Sequence, residues 1–349
     1  MRRLTKRKKS RVFCLAYSFL VLCLLIVSSV VMANSGTTAA EVVFAAIPKT
    51  DKTLLVLGKD RVGNNTDVIF LARIDGEEGK AAVMQLPRDT YVSYNDKEVK
   101  LNSLYGRFKK EAAGEKNPEY AALERLEEVL TSALGIKTDG FILMDLDCFV
   151  ESVDAIGGVT VEVPYDMVYD DPVQGLHINL RAGKQLLNGE QAEQFVRCRS
   201  IYIRADLGRI DAQKIFIAAL ISKLKDGLTV GQLVSVAGSV LEHTVTSLGL
   251  SDLPSLAVSA AEVSLSSAVI FTAPGSTDSR GGFYVLNRDG MKRMLSDYFD
   301  AEEAFDPDRL FRGYFNDEAR GLYERPYTPE MLPSMESIAE NGIDISVKK

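Results

Sequence analysis

The sequence predicts an α/β domain in which a partly parallel β-sheet is covered by helices. Three strand-like runs come early in the chain, and an amphipathic segment with apolar residues at three- and four-residue steps follows them. A strand, a helix and a second strand then succeed one another across short joints, an order typical of βαβ units. In chain order, these predicted elements are strands at 53–57, 67–74 and 80–86, a helix at 118–134, a strand at 141–146, a helix at 148–156 and a strand at 159–163.

Turn and cap residues set the limits of these elements. Residues 75–79, with the sequence DGEEG, predict a tight turn between two strands. Pro87 ends the third strand because it has no N–H to donate to a neighbour. Gly135 stands where a helix C-cap is expected, and two glycines at 157–158 end the next helix.

The second half of the chain is mostly helical. Asn188 and Gln191 form a capping box that opens a short helix, and Asp206 is the predicted N-cap of a helix that ends near Lys225. Residues 164–187 are polar and irregular, which suits a loop inserted over a site. The remaining predicted elements are helices at 229–241 and 251–263, strands at 269–272 and 283–286, and a helix at 288–298.

The chain divides into five predicted segments. Residues 53–300 form one domain, because no linker rich in proline, glycine or serine interrupts them. The last 49 residues hold four of the eleven prolines and many charges, which predicts an extended tail. The other four segments are therefore a basic segment at 1–11, a transmembrane anchor at 12–33, a tether at 34–52 and this charged tail at 301–349.

Charge is unevenly spread along the 349 residues, whose net charge is -7. Residues 1–11 carry seven basic residues, whereas residues 34–349 hold 34 basic and 48 acidic groups, a net of -14. So acidic a domain repels phosphate backbones at long range, which argues against nucleic acid as a partner. An anion site in this domain must therefore be a local basic cluster.

Residues 12–33 contain no charged residue, and as a helix they would span about 33 Å, enough for a bilayer core. The preceding basic segment predicts a cytoplasmic N-terminus, so the domain is expected on the outside of the cell membrane, attached by a single span. A cleaved signal peptide is the alternative, because the sequence VMA at 31–33 resembles a cleavage site. The apolar run is, however, longer than the roughly 7–15 residues of a typical signal peptide.

The cysteines and histidines exclude several kinds of site. Cys148 and Cys198 are too few for a disulfide scaffold, and two buried free thiols are expected. His177 and His243 are the two histidines of the sequence, and it has no CxxC motif. A zinc site built from cysteine and histidine is therefore not expected.

The most informative feature is a basic stretch at 181–214, with seven basic and four acidic residues in an otherwise acidic domain. Arg197 and Arg199 share a side only if the backbone is extended, and we interpret them as two arginines leaving a strand. Arg209 and Gln213 are four residues apart on a predicted helix, so they share one face near its N-terminus, where free N–H groups and the helix dipole favour an anion. These side chains can converge on one polyanion, although a solvated charged surface is the commoner explanation of such a run.

Polar residues at strand ends provide further candidates. Asp60 ends one strand and Asp67 begins the next, and two such carboxylates can hold Mg²⁺, although ordinary turn chemistry explains the pair as well. Arg88 follows a proline at a strand end and can reach a ligand at the edge of the sheet, or it is a surface arginine beside Asp89. Lys100, before a predicted helix, is a weaker candidate.

Together, these motifs resemble the LytR-CpsA-Psr family of bacterial cell-wall proteins over about residues 53–300. Each motif alone is weakly informative, but their order along the chain is that of the family. After the N-terminal anchor, the matching motifs are GKD at 58–60, TDVI at 66–69, LPRDT at 86–90, KLN at 100–102, DAIGGV at 154–159, LNGEQA at 187–192, VRCR at 196–199 and DLGRI at 206–210.

The resemblance implies an α-β-α sandwich, with a central mixed sheet flanked by helices and preceded by one transmembrane helix. It implies a membrane-anchored phosphotransferase that takes a glycopolymer, wall teichoic acid or capsular polysaccharide, from an undecaprenyl-pyrophosphate carrier. The implied acceptor is peptidoglycan, and the implied cofactor is Mg²⁺ or Mn²⁺ on the pyrophosphate.

The resemblance also implies roles for individual residues. Carried over motif by motif, the catalytic residues are Arg88, Asp206 and Arg209, and the metal ligands are Asp60 and Asp67. The implied pyrophosphate-binding residues are Lys100, Arg197, Arg199 and Gln213. The chain departs from the family pattern where Asn65 replaces a frequent arginine and where Ser200 replaces a frequent histidine, so its substrate preference can differ.

The polyprenyl carrier implied by the resemblance also leads to a prediction about the helix that starts near residue 206. Phe216, Ile217, Leu220 and Leu224 continue that helix beyond Arg209. We therefore expect the helix and the sheet to enclose an apolar tunnel, with its charged end at the arginine, although ordinary core packing explains any single one of these residues.

Two other functions fit parts of the sequence. A module that binds polyprenyl phosphates without turning them over would use the same arginines, but it would not need the two aspartates. A transcription regulator, which the historical name of the family suggests, conflicts with the predicted outward orientation and with the acidic domain.

Overall fold

The computed structural model describes residues 47–61, 64–171, 176–249, 252–277, 282–301, 310–311 and 332–347. The predicted basic segment, the predicted transmembrane anchor and most of the tether fall outside these described residues. Within them, no helix combines the length and the apolar character that crossing a bilayer requires.

The described chain forms fourteen strands and nine helices. The strands are β1 (Lys52–Lys59), β2 (Thr66–Asp75), β3 (Lys80–Gln85), β4 (Tyr91–Tyr94), β5 (Lys97–Lys100), β6 (Gly140–Met144), β7 (Val159–Val163), β8 (Met167–Asp171), β9 (Leu176–Leu180), β10 (Gly183–Leu187), β11 (Thr244–Thr246), β12 (Ala268–Thr272), β13 (Gly275–Thr277) and β14 (Tyr284–Leu286). The helices are α1 (Ser103–Glu111), α2 (Pro118–Leu134), α3 (Leu146–Ala155), α4 (Gly189–Arg197), α5 (Asp206–Lys225), α6 (Val230–His243), α7 (Asp252–Glu262), α8 (Arg288–Phe299) and α9 (Met335–Asn341).

A six-stranded mixed sheet stands at the centre, in the order β11-β6-β1-β2-β3-β12. The pairs β1/β6 and β3/β12 are parallel, and the other three pairs are antiparallel. The central strand β1 therefore has β2 on one side and β6 on the other. The chain leaves β1 at Lys59 and enters β2 at Thr66, so the loop between them lies where these two central strands end.

Helices cover both faces of this sheet, because successive side chains of a strand point to opposite sides. On β3, Met84 belongs to one core, which α1, α2 and α8 complete, whereas Val83 packs against a second core that includes α5 and α9. The predicted arrangement, a central mixed sheet flanked by helices, is confirmed.

The predicted βαβ unit at 141–163 is wrong, because its second strand leaves the sheet. Strand β7 pairs with β10 in a separate antiparallel ribbon, and β6 finds its parallel partner in β1 instead. Two consecutive glycines with positive φ, 80° at Gly157 and 86° at Gly158, turn the chain between α3 and β7. The predicted irregular loop at 164–187 also contains strands, since β8 pairs with β9.

Several local predictions are confirmed. Gly135 caps α2 with φ of 67°, and Asn188 forms a capping box with Gln191 at the start of α4. Cys148 and Cys198 are buried free thiols. The predicted N-cap of α5 is wrong: Asp206 is the first helical residue, Ala205 precedes it at φ 44° and ψ -106°, and no side chain caps this helix.

The prediction of an extended C-terminal tail does not hold for residues 332–347. Helix α9 buries Met335 and Ile338 in the core that contains α5, and Ile345 is 3% exposed in the same core. Farther on, Val347 forms a β-bridge with Tyr202. The prolines and charges of the tail obscured these few apolar residues, whose burial decides where the segment packs.

Candidate functional site

An apolar cavity of about 210 Å³ lies between the sheet and α5. Phe216, Ile217 and Leu220 line it from α5, one turn or less apart along the helix. Leu224 does not line it and is 41% exposed, because it lies at the end of the helix. The other apolar lining residues are Val56 and Leu57 of β1, Val68 and Phe70 of β2, Met144 of β6, Leu146 and Phe149 of α3, and Val196 of α4.

One end of this cavity is charged. Arg209 and Gln213 line it from the first turns of α5, with Asp67 from β2 and Arg197 from the end of α4. The charged end and the apolar end therefore follow one another along α5, as expected for a ligand with an anionic head and an apolar tail. The predicted apolar space between this helix and the sheet, with Arg209 in its lining, is confirmed.

Four charged side chains form a largely buried cluster beside this end. Arg88 Nη1 lies 2.6 Å from Asp67 Oδ1, and Arg88 Nη2 lies 3.3 Å from Asp206 Oδ1. The same Asp206 oxygen is 2.9 Å from Arg209 Nη2. Asp206 thus stands between two guanidinium groups, and three parts of the chain that are distant in sequence meet there. The sequence did not predict this pairing of Arg88 with Asp206.

The cluster is under-satisfied in its hydrogen bonding. Within the described part of the chain, no partner with hydrogen-bond geometry reaches Arg88 Nε, the Nε or Nη2 atoms of Arg209, or either carboxylate oxygen of Asp206. The Arg209 and Asp206 groups are close enough for an ion pair, but their angles leave donors unused. Because an unused buried donor costs about 1–3 kcal/mol, a multivalent anion bound here would relieve a real penalty.

The two arginines differ in how well their charge is compensated. Burial lowers the pKa of the Arg88 guanidinium, but the carboxylates of Asp206 and Asp67 outweigh burial and hold its pKa above the ordinary value. Burial holds the pKa of Arg209 below its ordinary value, because Asp206 offsets only part of the cost and Arg88 adds repulsion. Arg209, 3% exposed, is thus the cation that gains most from an added anion.

Gln213 is held in place by two hydrogen bonds. Its side-chain Oε1 accepts from Gln85 Nε2 at 2.6 Å, and its Nε2 donates to the Val196 carbonyl at 3.1 Å. Gln85 is the last residue of β3, so these contacts tie α5 to the sheet and to the end of α4. The predicted sharing of one face by Arg209 and Gln213 is confirmed, since both are buried and line the cavity.

Arg197 comes from a helix end, so the prediction that it leaves a strand is wrong. It is the last residue of α4, and its Nη1 donates to Glu193 Oε1 at 2.6 Å, one turn earlier. Arg61 donates to both oxygens of the same carboxylate, at 2.7 Å each, and this hydrogen bond raises the pKa of Arg61. Glu193, 6% exposed, therefore joins the β1–β2 loop to α4.

Arg199 and Lys100 stand farther from the cavity. Arg199 is exposed, although its charge is near enough to lower the pKa of Arg209. Lys100 Nζ pairs with Asp89 Oδ1 at 3.0 Å, and neither Lys100 nor Arg199 is among the residues that line the cavity.

The two aspartates proposed as metal ligands have different surroundings. Asp60 organises its own loop: Oδ1 accepts from the Asn64 backbone N–H at 3.0 Å, and Oδ2 accepts from the Asn65 side chain at 2.9 Å. Asp67 borders the cavity beside Arg88. Asp67 therefore fits a metal ligand that faces a bound phosphate, whereas the Asp60 carboxylate is engaged in turn contacts, which was the alternative for this pair.

A second group of potential ligands lies at the cavity's rim. Among the described residues, Asp145, Asp147 and His243 bring one ligand atom each within 4.8 Å of one another. Asp145 also caps α3 through the Cys148 N–H, and its Oδ2 lies 3.8 Å from Lys59 Nζ. Its contacts are thus those of a capping and ion-pairing residue, and acidic groups such as the exposed Asp147 are common without a metal.

Sequence reasoning missed three members of the site. Gln85 gave no signal, because only the tertiary contact of β3 with α5 brings it to Gln213. Glu193 lies four residues before Arg197, and a helical interpretation of that segment would have paired them. Asp145 directly precedes the α3 helix, and aspartate is a preferred N-cap residue, so its position could have been predicted.

Comparison with known proteins places the chain in a family. The model of the LytR_cpsA_psr family matches residues 29–297, more than three quarters of the chain. Cell wall biosynthesis protein LcpA of Corynebacterium glutamicum is 32% identical over 213 residues, which are 56% of this chain and 40% of LcpA. The chain therefore belongs to the LytR_cpsA_psr family.

A further relative and a solved structure are also similar to this chain. The polyisoprenyl-teichoic acid–peptidoglycan teichoic acid transferase TagV of Bacillus subtilis is 24% identical over 192 residues, which are 54% of this chain and 46% of TagV. The solved structure of TagT bound to LIIa-WTA matches with a TM-score of 0.53 at 21% identity, over 71% of this chain and 89% of that one. This chain spans less than half the length of LcpA and TagV, and the structural match supports the fold.

Proposed function

We propose that this member of the LytR_cpsA_psr family is a membrane-anchored phosphotransferase. In this proposal it moves an anionic glycopolymer from a polyprenyl-pyrophosphate carrier to peptidoglycan on the outer face of the cytoplasmic membrane. Its relative TagV is named as a polyisoprenyl-teichoic acid–peptidoglycan teichoic acid transferase. That name supports the class of reaction, and the argument for this chain rests on its own site.

One observation carries the proposal: an apolar cavity is lined by the buried Arg209, and both Arg209 and the neighbouring Arg88 have unused hydrogen-bond donors. A polyprenyl pyrophosphate has the matching order of parts, an apolar chain followed by two phosphates. Burying the chain removes apolar area from water at roughly 25 cal/mol per Å². The arginine forks of Arg88 and Arg209 suit phosphate oxygens, because each can donate two parallel hydrogen bonds.

The chemistry requires one bond to form and one to break. The oxygen of an acceptor hydroxyl attacks the phosphorus that carries the glycopolymer, and the bond from that phosphorus to the bridging oxygen breaks. The carrier leaves as polyprenyl monophosphate, and the hydroxyl proton passes to solvent. Arg88 and Arg209 neutralise the charge on the phosphates, and Asp206 holds the two guanidinium groups in position.

A divalent cation, Mg²⁺ or Mn²⁺, belongs to the proposal through the resemblance, and Asp67 is the residue that fits it. When bound, such an ion would supply further charge neutralisation on the phosphate oxygens, completing its shell with water. Asp60 would contribute indirectly, by fixing the loop that leads into β2 just before Asp67.

The test is turnover of a synthetic polyprenyl-pyrophosphate glycolipid by the full-length protein in detergent or nanodiscs, with and without Mg²⁺ and with peptidoglycan as the acceptor. We expect release of polyprenyl monophosphate together with a phosphodiester on the acceptor. Tight glycolipid binding without any release would instead identify the non-catalytic binding module. A reporter fused after Lys349 and probed with a membrane-impermeant label would test the proposed orientation.

A further inference from the structure

A second cavity, of about 410 Å³, lies beside the first and opens to the surface. Helices α3 and α4 pack against each other and separate the two spaces. On α3, Leu146 and Phe149 face the apolar cavity, whereas Asp147 and Val150 face the second one. The two cavities are therefore the two sides of one helical wall.

An ion-pair bridge centred on the buried Glu193 crosses this wall where the cavities approach each other. Arg197 lines the apolar cavity, Arg61 lines the second cavity, and the Glu193 carboxylate binds both guanidinium groups. The bridge is anchored by the loop that follows β1, whose Lys59 lines the apolar cavity. A group held in the second cavity would thus lie across this bridge from the proposed phosphate position.

The chemistry of the second cavity is opposite to that of the first. Its lining carries the carboxylates of Asp147, Glu151 and Glu190 in addition to Glu193, against the single guanidinium of Arg61. Carboxylates accept hydrogen bonds from hydroxyl and amine groups, and their charge repels phosphate. Val150 and Leu176 add apolar surface of the kind on which a sugar ring can rest.

We propose that this second cavity binds the acceptor of the transfer reaction, a neutral or amine-bearing oligosaccharide with free hydroxyls. Naming this ligand the acceptor rests on the proposed function. Binding of a saccharide in this cavity does not depend on it. The second cavity has about twice the volume of the apolar one, about 410 Å³ against about 210 Å³, and is the roomier of the two for a saccharide. Charge complementarity separates the two substrates, because an anionic donor polymer is excluded from the acidic side.

Binding is tested directly on the full-length protein in nanodiscs by calorimetric titration with three tetrasaccharides. These are the neutral tetramer of N-acetylglucosamine, the amine-bearing tetramer of glucosamine, and an anionic hyaluronan tetrasaccharide. We expect the amine-bearing and neutral sugars to bind at least fivefold more tightly than the anionic one. Equal binding of all three, or no binding of the first two, would overturn the proposal.

A double variant locates the binding. Glu151→Gln with Glu190→Gln removes two charges from the second cavity and leaves the lining of the apolar cavity unchanged. We expect at least a fivefold loss of affinity for the amine-bearing sugar, with unchanged binding of polyprenyl phosphate. Glu162→Gln, an exposed carboxylate on β7 away from both cavities, is the matched control and should bind as the wild type does.

Failure of the acceptor-site proposal can be distinguished from failure of the proposed function. If the protein turns over the glycolipid but the double variant keeps full sugar affinity and an unchanged KM for the acceptor, the second cavity is not the acceptor site and the proposed function stands. If the sugars bind as predicted but no glycolipid is turned over, the proposed function fails and the saccharide site stands.

Discussion

Arg209 Nη2 lies 2.9 Å from Asp206 Oδ1, one turn earlier on α5, and both side chains are largely withdrawn from water. Asp206 is the first residue of α5 and does not cap it, and its carboxylate lies against the arginines instead of the free N–H groups. Because the same oxygen faces Arg88, one carboxylate positions two cations from separate parts of the fold.

Replacing either arginine of this cluster should abolish transfer. Each lost charge-assisted contact to a phosphate costs on the order of 1.5–3 kcal/mol, and more when charge develops in the transition state. We expect Arg88→Ala and Arg209→Ala each to lower kcat/KM at least a hundredfold, measured by polyprenyl monophosphate release. Arg199→Ala, at an exposed arginine nearby, should lose much less. Near-wild-type turnover of both cluster variants would show that the site is elsewhere.

Asp206→Asn should separate a positioning carboxylate from a catalytic base. Without its charge, the largely buried guanidinium groups of Arg88 and Arg209 repel each other, so the free energy of unfolding should fall by roughly 1–3 kcal/mol. Inorganic pyrophosphate should raise the Tm of this variant more than the Tm of the wild type, because it replaces the missing negative charge. Thermal melts with and without pyrophosphate measure this. An equal pyrophosphate effect on both proteins would contradict the positioning role.

The apolar cavity makes a prediction that is independent of charge. Ile217 lines the cavity, whereas Leu224, two turns later on α5, is 41% exposed and does not. Ile217→Trp should fill the space and weaken polyprenyl phosphate binding at least tenfold, with pyrophosphate binding retained. Leu224→Trp introduces the same side chain on the same helix outside the cavity. This control variant should bind the lipid normally. Comparable losses in the two variants would place the lipid outside this cavity.

The aspartates at the β1–β2 loop should differ in their metal effects. Asp67 faces the cavity, so Asp67→Asn should raise the Mg²⁺ concentration needed for half-maximal activity while leaving lipid binding intact. Asp60 holds the loop through Asn64 and Asn65, so Asp60→Asn should lower activity at all Mg²⁺ concentrations and lower Tm. Mg²⁺ titrations of both variants distinguish these effects. A Mg²⁺ shift confined to Asp60→Asn would reverse the assignment.

Local patterns predicted most elements because their signals are local. The caps at Gly135 and Asn188 and the alternation that defines β7 need only a few neighbouring residues. What the patterns did not reveal depends on contacts between distant residues. Strand β7 leaves the sheet because β10 is its partner, and the pair Gln85–Gln213 joins residues 128 apart. Even the error at Arg197 has this origin, since alternation over four residues is the same at a helix end as in a strand.

The start of α5 provides a final prediction, because the orientation of Arg209 depends on how tightly this helix packs. A Cβ added at Gly208 would lie 2.4 Å from the Cβ of Tyr202, a fully buried residue that the C-terminal segment also holds through Val347. Gly208→Ala should therefore destabilise the protein by about 1–3 kcal/mol, as overpacked sites do, and should lower turnover by displacing the arginine.

Gly238, in the middle of α6, is the matched control, since an added Cβ there meets nothing within 4 Å. Gly238→Ala should stabilise by about 0.5–1 kcal/mol, the usual gain from replacing a helical glycine. The two substitutions are chemically identical and are both in helices, so the opposite signs isolate the Tyr202 contact. Urea unfolding of the two variants measures the difference. A Gly208→Ala protein as stable as Gly238→Ala would show that Tyr202 yields freely, and that the position of Arg209 does not depend on this contact.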